Sequence, residues 1–196
     1  ATDPALLALD EPAAGMNATE KLELRRLLEA IRRDGTTLLL TRNGTDFDTL
    51  VDDLYTESGP TEATLRFAAD NTLYCLQRRD GKPSNTALLG TSRKIPYDEW
   101  TWKDLGKYFG GPNFIQIPDG RWIAVGRLLN YSADKKTKTV VCELDVTKGE
   151  LNPLLDLPSG GDSSYPGLVW HDGQLWISYY SSHEAKTAIY LARVKL

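Results

Sequence analysis

The sequence predicts a mainly β chain: a partial β-propeller of about three four-stranded blades plus a remnant, preceded by one N-terminal helix. Three observations carry that expectation. After Gly35, short runs rich in Val, Ile, Thr, Trp and Tyr alternate with Asp-Gly, Asn-Gly and Pro-Asp-Gly, the strongest short-range hairpin signals. Three segments, 63–79, 113–127 and 167–180, align on the turn aspartates Asp70, Asp119 and Asp172, which are 49 and 53 residues apart. A unit recurring at about 50 residues is the mark of a propeller blade, because one small twisted sheet cannot bury both faces alone and must stack on neighbours. A β-sandwich with repetitive hairpins is the alternative topology.

The elements follow in order. Residues 1–15 are rich in Ala, Pro and Asp and show no clear period. Over 17–34, Asn17 or Thr19 caps a run in which Leu24, Leu27, Leu28 and Ile31 recur at i, i+3, i+4 and i+7. That is one amphipathic helix of about 16 residues, stopped by Gly35, with Arg25, Arg26, Arg32 and Arg33 on its solvated sides. Residues 1–35 are thus read as leader and helix, and 36–196 as blades. A strand pair over 36–50 reads as the end of a preceding blade. Each aligned unit reads as an apolar strand, a two-residue turn and a second strand with aromatics. Weaker strands follow at 86–92, 137–146 and 187–194.

Composition bounds the function. The chain has 196 residues, 23 basic against 27 acidic side chains and a formal net charge of −4. Phosphate binding needs clustered Lys and Arg, so nucleic acid is not an expected partner. No apolar run approaches the roughly 20 residues of a membrane-spanning helix. No phosphate-binding glycine loop, Cys/His metal spacing or Ser-His-Asp arrangement occurs, so neither cofactor nor metal is expected. Cys75 and Cys142 each sit in an apolar strand-like run and read as buried free thiols. The chain opens on Ala1 rather than Met, which we read as a processed or truncated product.

Propellers bind ligands at the axis, on loops leading into the innermost strands. Glu62 lies eight positions before Asp70, Asn113 six before Asp119, and Tyr165 seven before Asp172. Arg78 and Arg127 each lie eight positions after their turn aspartate. Glu, Tyr and two Arg at equivalent rims point to a polar site built on the repeat. Asp162 lies close to Tyr165 in sequence and is a candidate pocket residue or a turn residue. His171 reads as exposed turn chemistry and His183 as a loop hydrogen-bonding group. Trp100, Trp102, Trp122, Trp170 and Trp176 read mainly as packing between blades.

The segments TEATLRF, GGPNFIQIPDGRWIAVGR and GGDSSYPGLVWHDGQLWISYYSSHEAKTAIYLARV resemble the C-terminal half of bacterial sialidase-like six-bladed propellers. The family's Asp-box is present only in degenerate form, at 41–47. The resemblance implies a glycoside hydrolase acting on terminal acidic sugars, with Tyr165 as nucleophile, Glu62 as its base, and Arg78 (or its neighbour Arg79) and Arg127 as carboxylate-binding arginines. Asn113 and Asp162 join them as substrate-binding candidates. The order Glu, Arg, Arg, Tyr is the family's. A secreted or periplasmic location is also implied. The family's first arginine and acid aspartate belong to an opening blade that nothing here matches. We therefore expect a fragment of a longer chain, or a ring completed by missing blades or a partner chain. A non-catalytic carbohydrate-binding or protein-interaction propeller is the competing expectation.

Overall fold

The computed structural model describes residues 51, 53–129, 137–160 and 162–196, together with positions 6–8, 19, 23, 24, 26 and 37–39. Two compact units divide the chain, Ala1–Asp52 and Asp53–Leu196. In the first unit β1 (Leu6–Ala8) pairs in parallel with β2 (Thr37–Leu39), a pairing that the leader's aperiodic sequence did not suggest. Positions 19, 23, 24 and 26 are helical, within the span read as amphipathic. The remainder of the 36–50 strand pair and the degenerate Asp-box lie outside the described residues.

The second unit holds three antiparallel meanders. The first blade is β3 (Pro60–Phe67), β4 (Leu73–Arg79), β5 (Leu88–Ser92) and β6 (Thr101–Asp104). The second is β7 (Gly110–Gln116), β8 (Trp122–Leu128), β9 (Lys138–Asp145) and β10 (Glu150–Asp156). In the third, β11 (Ser164–His171), β12 (Gln174–Glu184) and β13 (Lys186–Val194) form three strands rather than the expected four. The run at 187–194, read as one of two outer strands, is that sheet's one outer strand among the described residues.

The turns correct the sequence reading at two of three places. Only Asp172-Gly173 is a two-residue turn, with both residues at positive φ (50° and 70°) as a type I′ hairpin requires. In the first blade the Ala68 N–H reaches the Thr72 carbonyl (2.8 Å) and the Asn71 N–H the Ala68 carbonyl (3.0 Å). The second blade repeats this with Ile117–Arg121 and Ile117–Gly120, both 2.9 Å. Both are three-residue loops, a type I turn followed by a left-handed residue, Asn71 or Gly120. The aspartates still share one task in these two: Asp70 and Asp119 accept from the backbone N–H two residues on, at 2.9 and 3.0 Å.

Strand alternation sends β8 into two cores. Trp122, Ala124 and Leu128 face the first blade, packing with Tyr74, Leu76, Leu89, Phe109 and Phe114. Ile123 and Val125, one step out of phase, face the third blade with Leu175, Ile177 and Tyr179. A sheet buried on both faces explains why β8 reads as a near-continuous apolar run. Of the tryptophans, Trp122 and Trp170 pack in the cores between blades, Trp122 meeting the rings of Tyr74 and Phe114 at 5.4 Å. Trp100 instead stacks on Trp102 at 5.6 Å within the first blade, and Trp176 carries the Arg193 guanidinium over its ring at 5.3 Å. Cys75 and Cys142 are buried and unpaired, and burial pushes both thiols up to about 12. On the face of the third blade turned away from the second, Val169, Ile189 and Leu191 are exposed.

Phe114 is fully buried in the core between the first two blades. Phe114→Ala should cost about 3–5 kcal/mol of unfolding free energy. Urea denaturation checks this, and a loss below 1 kcal/mol would show that the blades do not depend on that junction.

Candidate functional site

The three innermost strands β3, β7 and β11 lie side by side, and each enters its blade through a bulge. The register shifts fall between Pro60 and Ala63, Gly110 and Asn113, and Ser164 and Gly167. A bulge leaves its extra residue out of the ladder and re-aims it. The residues left out of the ladders are Thr61 and Glu62, Gly111 and Pro112, and Tyr165 and Pro166, and of these Glu62, Gly111 and Tyr165 build the site. In the third blade Tyr165 adopts a left-handed φ of 49°, uncommon for a bulky side chain. The Ser164 hydroxyl ties this segment to the second blade, its single proton shared between the carbonyls of Gly110 (3.0 Å) and Gly111 (3.1 Å).

Glu62 collects donors from all three blades. Arg78 Nη1 donates to Oε1 at 2.7 Å, the Tyr165 hydroxyl donates to the same oxygen, and the Gly111 N–H donates to Oε2 at 2.6 Å. Arg78 also places Nε on Asp80 at 2.8 Å, and its guanidinium lies 5.3 Å from the centre of the Tyr108 ring. One blade further on, Arg127 Nη1 is bonded to Asp162, whose second oxygen accepts from the Tyr180 hydroxyl at 2.5 Å. Tyr180 stacks on Tyr165, ring centres 5.9 Å apart, which joins the two groups into one surface.

Two candidates stand apart from this cluster. Arg79, the neighbour of Arg78, points to the opposite face of β4. There it is buried, with Nε on the Thr86 carbonyl (2.7 Å) and Nη2 on Asp104 (2.6 Å). Asn113 ties strands together: its Oδ1 accepts from Arg66 (2.8 Å) and its Nδ2 donates to the Pro166 carbonyl (2.7 Å). Tyr108 and Tyr180 belong to the cluster and were not read from the sequence. Tyr108 carried no signal. Tyr180 did, since it lies eight positions after Asp172, as Arg78 and Arg127 do after their own aspartates. His171 is exposed at the end of β11, and His183 bonds Ser181 at 3.0 Å.

The protonation states follow from these contacts. Partial burial of Glu62 opposes its charge, but the Arg78 guanidinium, the Tyr165 hydroxyl and the Gly111 N–H outweigh it and lower its pKa. Donation to that carboxylate, with some desolvation, raises the Tyr165 phenol above its ordinary value. The Tyr180 hydroxyl and Arg127 hold Asp162 below the usual carboxylate range despite some desolvation. Asp162 therefore stays ionised and is unsuited to donate a proton. Burial, then the bond to Asp162, pushes Tyr180 up to about 12. Three carboxylates (Glu62, Asp80 and Asp162) thus meet two guanidinia. Among the described residues no group of three His, Cys, Asp or Glu side chains is placed to hold a metal ion.

A search of solved structures returned partial likenesses. Bacteroides ovatus Xyloglucan PUL GH43B matches with TM-score 0.52 and 17% identity, over 71% of this chain and 28% of that one. A Dyadobacter fermentans protein of unknown function matches with TM-score 0.59 and 16% identity, over 72% and 40%. The endo-arabinase from Bacteroides thetaiotaomicron matches with TM-score 0.54 and 15% identity, over 78% and 63%. The chain carries part of a β-propeller. At these identities the likeness is one of fold, and the chain spans less than two thirds of the length of each. No protein-family model matches the sequence, and no curated protein matches it.

Two predictions follow from the geometry. Gly111 has a φ of 53°, and a Cβ there would lie 2.6 Å from the Ser164 hydroxyl oxygen and 2.8 Å from the Tyr165 nitrogen. Gly111→Ala should lower the melting temperature and release Tyr165 from Glu62; an unchanged melting temperature would show that the bulges are not coupled. The second concerns pH. Because the Glu62 pKa is depressed by folding, its ionised form stabilises the fold above the ordinary glutamate range. That stabilisation is lost as pH falls through the depressed value. Glu62→Gln should flatten this acid-side decline in urea midpoint, and a decline as steep as in the wild type would overturn the assignment.

Proposed function

We propose that this rim is half of a sialidase-like glycoside hydrolase site acting on terminal acidic sugars. One observation carries the reading: the Tyr165 hydroxyl donates to the Glu62 carboxylate from a backbone held in a left-handed bulge. A phenol is a weak nucleophile at neutral pH unless a base takes its proton as it reacts. Tyr165 is half-exposed at the rim.

In the proposed reaction the Tyr165 oxygen attacks the anomeric carbon while its proton passes to Glu62. The bond from that carbon to the leaving-group oxygen breaks, and the leaving group takes a proton from an acid outside the residues matched here. Water then attacks the anomeric carbon of the glycosyl-tyrosine and gives its proton to the conjugate base of that acid, while the bond to the Tyr165 oxygen breaks and Glu62 returns its proton to the departing phenolate. The depressed Glu62 pKa and the raised Tyr165 pKa keep the proton on tyrosine at rest. Transfer therefore belongs to the bond-forming step and not to a pre-equilibrium. Arg127 and Arg78 supply planar, permanently charged donors for a sugar carboxylate. The fold likeness to glycoside hydrolases supports a glycan substrate. Further blades or a partner chain would complete the ring and cover Val169, Ile189 and Leu191.

A second reading is a glycan-binding module without turnover. It is favoured by the carboxylates that already neutralise both arginines. Assay of the full-length protein on aryl sialosides, arabinosides and xylosides separates the two. Sialoside turnover is expected, abolished by Tyr165→Phe and reduced about 10²- to 10⁴-fold by Glu62→Gln. Turnover of a neutral pentoside alone would overturn the acidic-sugar reading. Sialoside binding without turnover, unaffected by Tyr165→Phe, would establish the binding module.

A further inference from the structure

The two arginines of the rim are paired in different ways. Arg78 is gripped on two edges, by Glu62 and by Asp80, and Glu62 is itself fixed by the Gly111 N–H of β7. Arg127 sits at the rim end of β8, an interior strand of the second blade, with only 14% of its side chain exposed. Asp162, its carboxylate partner, is 68% exposed and lies outside any strand, on the approach to β11. A fixed, largely enclosed cation is therefore capped by an exposed carboxylate.

Donor geometry gives the pairing its meaning. Arg127 Nη1 and the Tyr180 hydroxyl converge on the two oxygens of one carboxylate. The guanidinium can only donate and the Tyr180 hydroxyl donates here, so together they suit an acceptor ligand, and a two-oxygen anion uses both at once. Arg78 and Tyr108 stand close enough to add to the local field. The anchors of the Asp162 segment are its neighbours, not Asp162 itself. Gly160 donates to the Ser181 hydroxyl (3.1 Å), and buried Ser163 pairs with Thr139 (2.9 Å).

We propose that Arg127 and Tyr180 form a carboxylate-binding site in which Asp162 is an internal occupant, and that an external carboxylate enters by displacing it. The site itself is argued from these contacts. Its natural ligand, the carboxylate of an acidic sugar, rests on the functional reading above. Self-occupancy lowers apparent affinity by the fraction of molecules in which Asp162 is bound, and it rejects neutral ligands, which cannot replace the lost ion pair. Asp162 is then a specificity-determining residue that touches the ligand's binding groups without taking part in bond making.

Titration of the full-length protein with acetate and with N-acetylneuraminate, followed at the backbone amide resonances of the rim and, where Arg127 is present, at its guanidinium ¹⁵N resonances, tests this. Asp162→Asn should tighten acetate binding at Arg127 about fivefold to tenfold. Asp162→Ser, whose side chain is too short to reach Arg127, should match it, and adding Arg127→Leu should remove the gain. Unchanged, weaker or absent acetate binding in both folded Asp162 variants would overturn the proposal. If acetate gains but N-acetylneuraminate binds no tighter than acetate, the site stands and the acidic-sugar reading falls.

Discussion

A single carboxylate holds the rim together. Glu62 of the first blade accepts from Arg78 of the same blade, the Gly111 N–H of the second and the Tyr165 hydroxyl of the third. Each donor needs its blade in register, so the network is satisfied only when all three sheets are stacked. Charge-assisted bonds in a partly dehydrated site are strong, and an unmatched charge there is costly. The bulges, the left-handed Tyr165 and the obligatory glycine at 111 are the backbone's means of bringing those groups to one point.

The stack beneath rests on the simplest rule of strand geometry. Successive side chains point to opposite faces, so one apolar strand such as β8 supplies Trp122 and Ala124 to one junction and Ile123 and Val125 to the next. The same alternation sorts the polar rim. Arg78 leaves β4 on the face that packs against the second blade, while Arg79 leaves on the other and is consumed by Thr86 and Asp104. A guanidinium's fate is decided by parity. Two adjacent arginines with identical chemistry end as a rim group and a structural brace.

Charge balance shapes what the rim can bind. Counting arginines suggests a strongly anion-seeking surface, yet Glu62, Asp80 and Asp162 already answer Arg78 and Arg127. Affinity for an acidic ligand therefore depends on which of these internal carboxylates gives way. Glu62 is bound by three donors and enclosed, and Asp162 is exposed on a segment outside the sheets. The rim has one fixed half and one exchangeable half.

Much of this was legible in the chain alone. The turn aspartates, the period of about 50 residues and the eight-residue offset of Arg78 and Arg127 follow from sequence, because hairpin chemistry and strand alternation are local. The same offset marks Tyr180, whose place among the rim groups is legible once three repeats are compared rather than two. Other features depended on packing. The widened turns at Ala68–Thr72 and Ile117–Arg121 differ from Asp172-Gly173 only through loop closure, which an Asp in the turn does not specify. Tyr108 was invisible, since nothing local distinguishes a tyrosine that will lie beneath an arginine from any other. The pairing of Arg127 with Asp162, and of Glu62 with a tyrosine 103 residues away, needed the blades stacked. Sequence determined the strands, their faces and the residue types at the rim. Tertiary structure decided which of those charges neutralise one another, because electrostatic pairing depends on distance across sheets and not on position along the chain.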